Sequence, residues 1–194
     1  MKHLIHFLVL CTSYLVLPLT LQAQSADRLY EQGKALYDAK KYTEALPKLR
    51  AAAEKGHKKA QYRLGRCYDK GYGVEEDDQL AFQWYSKSAA QGYAKAQYQL
   101  GRCYHKGKGV PKDNKRAFDL FTQAAKQDNG DAQLALGICY LKGKGTAVDE
   151  KKAKYWCNKA IRNEKKGKEI LATLRQDAKD GDEDAKRVLQ LIGK

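Results

Sequence analysis

Ala60 opens the stretch AQYRLGRCYDKGYGV, Ala96 opens AQYQLGRCYHKGKGV and Ala132 opens AQLALGICYLKGKGT, so one pattern returns every 36 residues. Self-similarity at a fixed period of this size marks stacked helical units, each burying its apolar face against a neighbour. In the first copy Ala60, Leu64, Cys67 and Tyr68 fall at i, i+4, i+7 and i+8, one stripe of a helix. Ala81, Tyr85, Ser88 and Ala89 repeat that spacing and predict a second helix. Between them KGYGVEEDD is polar and carries Gly71 and Gly73, which give the backbone freedom to turn back. Asp77, Asp113 and Asp149 recur just before the second helix, where a carboxylate caps exposed amides. Gly65, Gly101 and Gly137 sit in mid-helix, at about 1 kcal/mol each relative to alanine. A cost taken three times at one register predicts close packing of the second helix there, through Ala81, Ala117 or Ala153.

The pattern LGxCYxKGxGV, followed by an aspartate, an alanine and an aromatic pair such as Trp84 and Tyr85, resembles the Sel1-like repeat family from Ala60 to about Gly167. The resemblance implies an all-α fold, a right-handed α–α superhelical solenoid of stacked antiparallel helix pairs whose work is holding other molecules. Upstream, Gly33 to Ala45 is 12 residues where Gly65 to Ala81 is 16, so the first unit lacks the long glycine turn. Its KKYTEALPKLRAAAEKG resembles a tetratricopeptide repeat. The expected units are therefore 24–59, 60–95, 96–131 and 132–167, with 168–194 as a terminal cap, all on one continuous core. The last repeat departs from the pattern: Thr146 replaces the valine, and Cys157 stands where Tyr85 and Phe121 stand before it.

Residues 1–23 read as a secretory signal. Lys2 precedes an apolar run from Leu4 to Leu21 that ends at Leu21-Gln22-Ala23, predicting cleavage before Gln24 and a periplasmic or secreted protein. An uncleaved anchor is the alternative, because a run of about 18 apolar residues suffices to span. Bulky Leu10 and the continuing apolar run exclude a lipoprotein signal at Cys11. Export raises the question of Cys67, Cys103, Cys139 and Cys157. The first three share one register, so neighbouring copies lie roughly 8 to 10 Å apart, beyond the span of about 7 Å that a disulfide bridges. Cysteine-rich exported relatives staple the helix pair of every repeat. Here only Cys139 and Cys157 share a repeat, and a bridge between them stays open beside the reading of cysteine as a small buried apolar residue. There is no CxxC, and His57 and His105 are the only histidines after the signal, so no metal or cofactor is expected.

Catalytic motifs are missing as well. Some Sel1 relatives are linked to beta-lactams, which keeps a beta-lactam-interacting hydrolase as an alternative, but the chain has no SxxK, GxSxG or HExxH. KGKGT at Lys142 lacks the spacing of a phosphate loop. The expectation is a binding protein, not an enzyme. Tyr62, Arg66 and Lys70 share one face of a first helix, and Tyr98, Arg102 and Lys106 repeat them one unit later. Tyr30 and Lys34 match them upstream; Leu134, Ile138 and Lys142 match them downstream. The candidate ligand-binding residues are thus Tyr30, Lys34, Tyr62, Arg66, Lys70, Tyr98, Arg102, Lys106 and Ile138, a groove running from a basic, tyrosine-lined end to an apolar one. It suits an extended protein segment with acidic groups and an apolar anchor. The competing reading is that these tyrosines pack between units and the bases form a solvated face.

The formal net charge is +14, and removing residues 1–23 takes away one lysine and leaves +13. Such a surface favours acidic partners in a salt-sensitive way. Nucleic acid is not expected, for want of a recognised module and because the chain is exported. A monomeric exported adaptor for a protein or peptide partner is the leading expectation; a protein that binds an envelope glycan or another anionic polymer is the alternative.

Overall fold

The computed structural model describes residues 25–194. The predicted signal and its alternative as an anchor lie outside the described residues. The described residues form ten helices and no strand: α1 (25–38), α2 (Tyr42–Glu54), α3 (Lys58–Lys70), α4 (Asp78–Ala90), α5 (Ala94–Lys106), α6 (Asn114–Lys126), α7 (Gly130–Lys142), α8 (Glu150–Ile161), α9 (Gly167–Lys179) and α10 (Glu183–Ile192). Two compact units result, which among the described residues are 25–77 and 78–194. The boundary falls inside a repeat, with α3 packed on α2 in the first unit and α4 opening the second.

Each first helix ends for the same reason. Gly71, Gly107 and Gly143 adopt left-handed φ values of 61°, 73° and 67°, and their N–H groups donate to the carbonyls of Cys67, Cys103 and Cys139. The turns then close back, with the N–H of Asp77, Asp113 and Asp149 donating to Tyr68, Tyr104 and Tyr140. Asp113 and Asp149 cap the following helix as predicted, accepting from the N–H of Arg116 at 3.0 Å and of Lys152 at 2.9 Å.

The mid-helix glycines mark the close approach that their register predicts. A Cβ on Gly101 would lie 2.6 Å from the Phe121 ring and 3.3 Å from the Ala117 carbonyl; one on Gly137 would meet Cys157 Sγ and lie 3.3 Å from the Ala153 carbonyl. The alanine thus offers its backbone, and the residue four positions on fills the gap. Gly33 does the same in the first pair, against Leu49, four residues after Ala45. The register of the shorter pair is therefore intact, and the four missing residues come from the turn: 39–41 in place of a seven-residue turn such as 107–113.

Buried glutamines tie neighbouring elements within each compact unit. Gln61 and Gln97 are 5% exposed and Gln133 is 0% exposed, so each amide must find internal partners. Gln61 Nε2 donates to the Ala53 carbonyl at 3.0 Å, Gln133 Nε2 donates to Asp128 Oδ1 at 2.9 Å, and Gln97 Oε1 accepts from Gln127 at 2.7 Å.

Candidate ligand-binding stripe

In residues 25–77, α1 and α3 supply the stripe. Tyr30 does not belong to an open surface: it is 5% exposed, its ring stacked on His57 at 4.2 Å. The cause is the start of α3, where His57 caps the helix by accepting from Ala60 N–H at 3.1 Å and sits 3.1 Å from Asp27, closing over the ring. Lys34 shares its charge with Glu31 and Asp38 of its own helix, at 3.9 and 3.6 Å. Tyr62 and Arg66 are half-buried, and exposed Lys70 pairs with Asp69 at 3.6 Å. Arg63 adds a contact that the sequence pattern passes over, because Gln99 and Ala135 stand at its place in later repeats. Its guanidinium lies 4.7 Å above the Tyr37 ring and donates to Asp38 at 2.9 Å. Burial raises the Tyr37 hydroxyl pKa despite Arg66 and Arg63, so this ring is neutral and apolar in character.

In residues 78–194, Tyr98, Arg102 and Lys106 form the stripe on α5. Tyr98 is half-buried, 5.9 Å from the Phe121 ring, and packs on the core of Ala117, Phe121, Ala132 and Leu136. Part of each tyrosine is thus packing. Arg102 lies 5.9 Å from the Tyr98 ring and donates to Gln99 Oε1 at 3.1 Å. Among the described residues neither Arg102 nor exposed Lys106 forms an ion pair. Ile138 departs from its expected role. It and Leu134 are half-buried against the C-terminal core of Ile170, Leu174 and Val188, because the terminal helices need an apolar seat where earlier repeats carry Tyr and Arg. Lys142, one turn on, is held by both carboxylate oxygens of Asp184 in α10, at 2.6 and 2.7 Å.

Thiol chemistry is suppressed. Among the described residues the four cysteines are free and buried. Burial pushes the thiols of Cys67 and Cys139 up to about 11 and that of Cys157 to about 12, far from the thiolate that nucleophilic or metal chemistry requires. Among the described residues no cluster of three His, Cys, Asp or Glu side chains is placed to hold a metal.

Helix pairs locked by glycine at fixed register, carrying exposed cations on their first helices, define a solenoid-class repeat scaffold. The Sel1 repeat model matches residues 58–93, 94–129 and 130–164, and the chain belongs to that family. It is similar to a solved Sel1 repeat protein from Oxalobacter formigenes, with 32% identity and a TM-score of 0.66 over 80% of this chain and 72% of that one. It is also similar to a protective antigen of uropathogenic Escherichia coli with an SLR fold, at 32% identity and a TM-score of 0.70, covering 82% of this chain but only 34% of the antigen. An immunity protein from Pseudomonas aeruginosa, 23% identical with a TM-score of 0.55 over 86% of this chain and 64% of that one, shares the fold. No curated protein sequence matches. Sel1 repeats are in general protein-interaction modules and not catalysts.

Proposed function

We propose that this protein is an exported adaptor whose stripe on α5 binds an acidic, extended segment of a protein partner. The observation that carries the reading is Arg102: a half-buried guanidinium beside an aromatic ring, hydrogen-bonded to a neutral amide and in no ion pair among the described residues, with Lys106 one turn away. A cation held in place without a carboxylate is ready to take one from a partner as a charge-assisted bond. Lys142, at the register of Lys106, already binds a carboxylate of the protein itself, which supports the same chemistry on α5. Arg66 offers the corresponding position on α3. The N-terminal apolar run supports export, and the net charge of +14 supports an acidic partner.

The test is retention from envelope extract on the immobilised protein beside Arg102→Glu and Arg66→Glu variants. One or a few proteins held by the native form and lost with Arg102→Glu, and then bound again as isolated acidic segments, is the expected result. Equal retention by all three forms overturns the stripe as the site.

A further inference from the structure

The outer face of α8 carries a second cationic feature, unrelated to the first-helix stripe. Lys151, Lys154, Tyr155, Asn158, Lys159 and Arg162 fall at i, i+3, i+4, i+7, i+8 and i+11 and line an open cavity of about 810 Å³. Eleven residues of helix put about 16 Å between its ends. Among the described residues none of the four cations forms an ion pair; Lys159 lies 5.2 Å from the Trp156 ring. The two carboxylates that also line the cavity sit at its Arg162 end. Glu164 follows Arg162 in sequence, and Asp128 is tied there by its carbonyl, which accepts from Asn163 Nδ2 at 3.1 Å. The Asp128 carboxylate is further engaged by Gln133. Among the residues that line the cavity, the Lys151–Lys154 end carries no carboxylate.

At the centre stands Tyr155, 59% exposed, one of two large apolar side chains left open to this degree among the described residues. Its ring is braced edge-on by Trp156, with centroids 5.2 Å apart and planes at 83°. An exposed aromatic plate flanked by cations and an amide in an open cavity matches a particular ligand chemistry. A sugar ring lays a flat C–H face on an aromatic plate and offers hydroxyls to an amide, while oxyanion groups along the chain meet lysine and arginine.

We infer that the α8 face of residues 151–162 binds a glycan chain bearing oxyanion groups, carboxylate or phosphate, with Tyr155 as the stacking plate and Lys154 and Arg162 as charge contacts. The test titrates the purified protein with polygalacturonate, phosphomannan, neutral dextran and poly-L-glutamate. Binding of polygalacturonate or phosphomannan, lost in high salt and about fivefold or more weaker in Tyr155→Ala and in Lys154→Ala/Arg162→Ala, is the expected result. Tyr155→Phe keeps the plate and retains binding, and unchanged thermal unfolding of the alanine variants separates a lost contact from a lost fold. Arg102→Glu leaves glycan binding intact, so failure of the α5 stripe and failure of this site are distinguishable. Poly-L-glutamate bound as tightly as either glycan overturns the inference in favour of a general acidic-protein surface. No effect of Tyr155→Ala, or no binding to either charged glycan, overturns it outright.

Discussion

The turn of residues 71–77 and the turn of residues 107–113 rest on the start of a preceding helix in the same way, yet their side chains use opposite chemistry. In the first, Tyr72 stacks on Tyr42 with centroids 4.4 Å apart and planes at 6°. In the second, Lys108 pairs with Asp78 at 2.9 Å. What the two share is glycine. A Cβ on Gly73 would lie 2.7 Å from Thr43 N, and one on Gly109 would lie 2.5 Å from the Asp78 carbonyl carbon; Gly145 abuts Asn114 likewise, at 2.6 Å. All three also have positive φ, 71°, 67° and 75°. Backbone approach sets the seam, and the side chains around it are free to differ.

Breaking that shared element has the largest expected effect. Gly109→Ala places a methyl group into the backbone of Asp78 and strains a left-handed φ, and both penalties fall on one residue. A loss of about 3 kcal/mol or more is expected in urea unfolding. Gly181→Ala is the control: φ is 96° but open space surrounds it, so only the conformational cost of about 1 to 2 kcal/mol applies. Equal losses at the two sites would show that conformation and not approach is what the turn glycines supply.

The variable element is sharpened by truncating its side chains. Tyr72→Ala removes a stacked ring that also lies 6.1 Å from Tyr37, and should cost about 1 to 2 kcal/mol. Lys108→Ala breaks an ion pair whose partners are both about 40% exposed, and should cost no more than about 1 kcal/mol, less in high salt. A salt-insensitive loss at Lys108 as large as that at Tyr72 would overturn the ranking.

A pH dependence is common to the two units. His57 in the first and His105 in the second both have pKa values lowered from the ordinary 6.5, chiefly by burial, with Asp27 opposing at His57 and Asn114 at His105. The unfolded chain then binds protons that the folded one refuses. Stability is therefore full above pH about 6.5 and declines as pH falls below it. His57→Asn keeps an oxygen to cap α3 and should flatten the part of this decline that His57 contributes; an unchanged slope would assign the whole decline to other groups.

Much of this was legible in the sequence, for a reason the turns make plain. A stacking array imposes the same packing problem on each unit, so Gly101 and Gly137, Asp113 and Asp149, and the αL glycines announce themselves by recurring. Residues that solve a problem once do not. Arg63 bridging Tyr37 and Asp38 has no counterpart in Gln99 or Ala135, and His57 covers Tyr30 only at one place in the chain. The packing of Ile138 on the C-terminal core is not legible, because periodicity reports which face a residue occupies and not whether the next helix covers that face. The α8 face is hidden because its central residues do not recur: Asp119 and Thr122 stand at the places of Tyr155 and Asn158, while Lys115 and Lys126 at the places of Lys151 and Arg162 read as an ordinary solvated face.

The smallest effect expected tests the converse, a place where the repeat abandons glycine. Gly56 and Gly92 take φ of 87° and 74° between units, and Asp128, 36 residues after Gly92, takes 61° without being glycine. Its carboxylate holds Gln133 Nε2 at 2.9 Å, a contact that a glycine cannot make. Asp128→Gly relieves a left-handed residue, worth about 1 kcal/mol, and forfeits a hydrogen bond of about the same size, so the net change should lie within about 1 kcal/mol of zero. Asp128→Ala keeps the strain and loses the bond, and should be about 1 to 2 kcal/mol less stable than the glycine variant. If alanine and glycine prove equal, backbone strain at this junction is negligible, and the aspartate stands there for its carboxylate alone.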